Sequence, residues 1–126
     1  MKIFEFSFLR FVIDNDKIFL FDEINNNLLN ADQKWILEHT SFICDIQISG
    51  NPTTIHAGDR HICSSESETL KYINHEIIKQ NDSLLLKIKQ RNSQIEVISF
   101  YEEYKKVIRC WTQVTNISNN ELALEY

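Results

Sequence analysis

The sequence predicts an all-β protein, an antiparallel β-sandwich, and three observations carry that prediction. Apolar and polar residues alternate with period two along most of the chain, the pattern of strands with one buried face. Turn-forming Asn, Asp and Ser recur at short intervals between those runs. Strand patterns follow one another with little that reads as helix, as in an antiparallel meander. With 126 residues, the chain has room for one domain with a real core, and residues 1–126 are read as a single β domain.

Taken in order, Ile3 to Ile13 alternates, with Phe4, Phe6 and Phe8 on one face and Glu5 and Ser7 on the other. Asp14-Asn15-Asp16 is read as a turn, because Asn and Asp tolerate left-handed backbone, and Lys17 to Phe21 as the returning arm of a hairpin. Glu23 to Lys34, with its Asn25-Asn26-Asn27 triplet, reads as a loop, with a short turn of helix as the alternative, and Trp35-Ile36-Leu37 as a brief strand. Thr40 to Ile48 places Phe42, Cys44, Ile46 and Ile48 on one face, and Gly50-Asn51-Pro52 ends it. Thr53 to Thr69 is irregular in pattern. Leu70 to Lys79, Leu84 to Gln90 and Gln94 to Tyr104 follow as strands, separated by Gln80-Asn81-Asp82-Ser83 and by the hairpin signal Asn92-Ser93. Val107 to Ile117 is expected to pair with Glu121 to Tyr126 across Ser118-Asn119-Asn120. Leu122, Leu124 and Tyr126 alternate with Glu121, Ala123 and Glu125, so the sequence reaches Tyr126 in a strand pattern. This reads as the first part of a larger β domain.

Composition narrows the function. The net charge of −5 and isoelectric point near 5.3 disfavour nucleic acid and anionic membrane surfaces, which need clustered Lys and Arg. No apolar run has the length of a membrane-spanning helix. Glu5 and Arg10 interrupt the apolar N-terminus and no small-residue cleavage site follows, so a cytoplasmic protein is expected. Cys44, Cys63 and Cys110 are odd in number and widely spaced, which predicts free thiols rather than a disulfide framework.

The chemistry-bearing residues are few. His56 and His61 flank Gly58 and precede Cys63, but no second ligand pair stands nearby, so no metal and no cofactor are expected. The nucleophile elbow, the phosphate-binding loop and the paired-histidine zinc motif are absent. Glu102 and Glu103 are adjacent on a strand and point to opposite faces, so they form no catalytic pair. Trp35, Trp111, Tyr72, Tyr101 and Tyr104 offer ring faces on which a sugar can stack, although in a β-rich chain such residues serve mostly as core and cross-strand pairs.

The stretch V-I-R-C-W-T-Q-V-T-N-I-S-N-N-E-L-A-L-E-Y, from Val107 to Tyr126, resembles the N-terminal domain of glycoside hydrolase family 36, the bacterial α-galactosidases. Upstream, His56-Ala57-Gly58-Asp59-Arg60-His61, then Leu70-Lys71-Tyr72 and His75, is similar to that family's "H-x-G-x-R-H … L-x-Y-x-x-H" stretch, and Gln94 to Tyr104 resembles the strand before its R-x-W segment. The similarity spans roughly Ile55 to Tyr126. It implies a galactose-mutarotase-like β-supersandwich of which this chain is the first part, followed in the parent protein by a catalytic (β/α)₈ barrel. It carries over no catalytic residue. The implied role is a non-catalytic one in carbohydrate metabolism: packing on the barrel, helping to close the galactoside pocket, and contributing to homo-oligomer contacts. Asp59, Arg60 and His61 are the binding residues the resemblance singles out, against a purely structural role in which Asp59 and Arg60 pin their own loop. A stand-alone carbohydrate-binding or interaction module is the alternative.

Overall fold

The computed structural model describes residues 2–21, 43–44, 46, 53–55, 62–64 and 69–124. Its regular structure is antiparallel β, with almost no helix among the described residues. The chain divides into two compact units, Met1–Ile43 and Cys44–Tyr126.

The first unit is a three-stranded meander, β1 (Lys2–Phe6), β2 (Leu9–Asp14) and β3 (Lys17–Phe21), in the order β1-β2-β3. The Asn15-Asp16 turn forms as expected, with φ of 51° and 62°, the left-handed pair that matches the twist of a two-residue hairpin. The single strand expected over Ile3 to Ile13 is instead two strands folded at Ser7-Phe8, where Ser7 takes φ 55°. The alternate phenylalanines therefore do not share one face of one strand. Phe4 stacks on its cross-strand partner Phe11 at 4.9 Å between ring centroids, Phe6 is buried, and Phe8 stands exposed at the turn. Phe11, Val12, Ile18 and Phe19 are buried with Phe6.

The second unit holds a short pair, β4 (Thr53–Ile55) with β5 (Ile62–Ser64), and a four-stranded sheet of β6 (Lys71–Lys79), β7 (Leu84–Arg91), β8 (Ile95–Tyr104) and β9 (Val107–Asn116) in sequential order. The β4–β5 pair corrects the irregular reading of Thr53 to Thr69. Of the strand expected over Thr40 to Ile48, Ile43, Cys44 and Ile46 are described; they lie outside regular strand, with Cys44 and Ile46 buried. The expected elements between Glu23 and Leu37 lie outside the described residues.

In the four-stranded sheet Leu86, Ile88 and Gln90 of β7 and Ile95, Val97, Ser99 and Tyr101 of β8 are buried along one face. These two strands are central, flanked by β6 and β9, the outer strands of this sheet among the described residues. The turn at Asn92-Ser93 is held by the Asn92 side chain, whose Oδ1 accepts the Gln94 and Ile95 amides at 2.9 Å each. A hairpin that the sequence reading passed over lies at Lys105-Lys106, with φ of 48° and 64°. Beyond β9 the expected final strand does not form among the described residues. Glu121 to Ala123 is irregular and Leu124 makes an isolated bridge. Asn116 does hold the local backbone: its Oδ1 accepts the Ser118 amide at 2.9 Å and its Nδ2 donates to the Asn120 carbonyl at 2.7 Å. Side-chain bonds thus fix the turn at residues 118–120, and no backbone ladder continues from it among the described residues.

Candidate functional site

Asp59, Arg60 and His61 lie outside the described residues. Their flanks are defined: Ile55 pairs with Ile62, Thr54 with Cys63 and Thr53 with Ser64, so an antiparallel ladder brings together the two ends of the segment that carries them.

The remaining segments of interest assemble on one sheet. Leu70-Lys71-Tyr72 leads into and His75 sits on β6, Gln94 to Tyr104 supplies β8, and Val107 to Asn116 is β9. A spacing of three would put Tyr72 and His75 on opposite faces of a regular strand. A β-bulge between Tyr72 and Asn74 adds the residue that returns both to the same face. The Tyr72 hydroxyl then reaches His75 Nδ1 at 2.6 Å. Burial lowers the His75 pKa below its ordinary value, which favours the neutral ring; the tautomer sets which of the two groups donates in this bond. The Tyr72 phenol is pushed up by burial, with a hydrogen bond from the His75 backbone acting in the opposite direction.

Further along this face stand two buried polar side chains. Gln90 lies across from Tyr72, and Ser99 lies across from Ile88, whose other neighbour is His75. Gln90 Oε1 and Ser99 Oγ have no hydrogen-bond partner among the described residues. Buried oxygens in this state cost about 1–3 kcal/mol each. Tyr101, buried on the same face, has its phenol pushed up to about 12, chiefly by burial and then by the nearby Cys110 and Cys44 thiols. Cys110 is exposed with a free thiol, Cys44 is buried, and burial raises the Cys110 pKa as well.

The opposite face carries an aromatic and ionic ladder. Glu76 pairs with Lys87 at 3.7 Å, and Lys87 Nζ lies 5.6 Å from the Phe100 ring centroid. Phe100 stacks on Trp111 at 5.0 Å with an interplanar angle of 5°. Arg109 lies over Trp111 at 5.0 Å and bonds Glu102 at 3.0 Å. The register explains it: Glu76, Lys87, Phe100 and Trp111 form one cross-strand row.

The aromatic residues singled out for sugar stacking thus do not make a common platform. Trp111 faces one side of the sheet, Tyr72 and Tyr101 the other, and Tyr104 stands exposed beside the Lys105-Lys106 turn; Trp35 lies outside the described residues. Glu102 is taken up by Arg109, and no group of three or more potential metal ligands occurs among the described residues. The Tyr72–His75 pair and the Phe100–Trp111 stack were not identified from sequence. The first was signalled by Tyr-x-x-His at an odd spacing inside a strand, the second by nothing short of the register. No helix among the described residues is long and apolar enough to cross a membrane. No family model, no curated protein and no solved structure matches this chain.

Proposed function

We propose that the chain is a non-catalytic N-terminal β-sandwich region of an α-galactosidase-like glycoside hydrolase, in the cytoplasm, acting with the catalytic (β/α)₈ barrel of its parent protein. The observation that carries the reading is the convergence of separate sequence segments on one sheet. The L-K-Y-x-x-H segment, the strand before R-C-W and the R-C-W-T-Q-V-T-N strand are β6, β8 and β9 of a single meander. The residues that give those segments their character act locally: Tyr72 bonds His75, and Asn116 fixes the turn after β9. In this reading Asp59, Arg60 and His61, flanked by the β4–β5 ladder, meet the barrel near the sugar pocket. The guanidinium of Arg60 offers a rigid fork of donors suited to a carboxylate or to sugar hydroxyls.

The test is enzymatic. The full-length product of the gene is expected to hydrolyse a nitrophenyl α-galactoside, and the 126-residue chain alone is not, because retaining hydrolysis needs two carboxyl groups about 5 Å apart. An inactive full-length product, or turnover by the chain alone, overturns the reading. In the active full-length enzyme Arg60→Ala is expected to lower activity at an unchanged melting temperature. A lower melting temperature with activity intact leaves Arg60 only a structural role.

A second reading, a stand-alone carbohydrate-binding module, is favoured by one observation: Trp111 is 39% exposed on an edge strand while held flat against Phe100. Titrating the chain with galactose and following the Trp111 indole resonance separates the two. A saturable shift favours the module.

A further inference from the structure

We draw no further inference here: the strongest candidate, the polar side-chain cluster of Tyr72, His75, Gln90 and Ser99 on the buried face of the four-stranded sheet, carries nothing because nothing in the structure shows what covers that face or meets those groups among the described residues.

Discussion

Replacing Lys105-Lys106 by Asn-Gly is expected to stabilise the second unit. Both lysines hold left-handed backbone, at φ of 48° and 64°, and a side chain with a Cβ in that region costs roughly 1–2 kcal/mol per residue. The turn matches the right-handed twist of β8 and β9, so the sheet imposes this conformation and the lysines bear its cost. Asn tolerates the first position and Gly is free of the penalty at the second. Against this, Gly loses about 0.5–1 kcal/mol more backbone entropy on folding. The contact between Lys105 Nζ and the Tyr104 ring, at 5.2 Å, is also lost, at about 0.5 kcal/mol for an exposed pair. The net gain is about 1–2 kcal/mol. With a urea slope of about 2 kcal/mol/M, within the usual range, the midpoint should rise by roughly 0.5–1 M at unchanged slope. Urea unfolding followed by circular dichroism, with amide exchange of the β8–β9 ladder as a local readout, measures it. A midpoint that is unchanged or lower, with native exchange protection elsewhere in the sheet, refutes the argument that the lysines are strained.

Other outcomes follow from the two faces of the sheet. Ser99→Ala removes a buried hydroxyl without a partner among the described residues and is expected to leave stability unchanged or raise it by about 1 kcal/mol, read as a urea midpoint. Trp111→Ala should cost about 2 kcal/mol, adding the Phe100 stack to the Arg109 contact, and Phe100→Ala should cost no further stacking energy in that background. The Tyr101 phenol, pushed up to about 12, is protonated in the fold when the unfolded chain already ionises near pH 10. Stability from this source is complete below pH 10 and is lost as pH rises towards 12, by about 2 kcal/mol. In Tyr101→Phe that alkaline loss should disappear from a plot of unfolding free energy against pH.

The strands from Leu70 onward were legible in the sequence because alternation and turn chemistry are local. Runs such as Leu84 to Gln90 and Val107 to Ile117 need only one buried face and polar breaks to declare themselves, and they match β7 and β9 to within a residue. The Asn15-Asp16 and Asn92 turns were legible for the same reason: their side chains bond their own backbone or tolerate its left-handed form. Ser7 and Lys105-Lys106 were not, since there the pairing of flanking strands imposes a conformation that the residues do not favour. Of the free thiols expected at Cys44, Cys63 and Cys110 from number and spacing, the one at Cys110 is seen. What only the tertiary structure decided is register. It made Tyr72 and His75 neighbours through a bulge, set Phe100 against Trp111, and gave Arg109 to Glu102. It also left Ser99 without a partner among the described residues and fixed which amides of β9 point away from β8. Each depends on which residue lies opposite which, a long-range choice that a one-residue slip reverses and that no local pattern encodes.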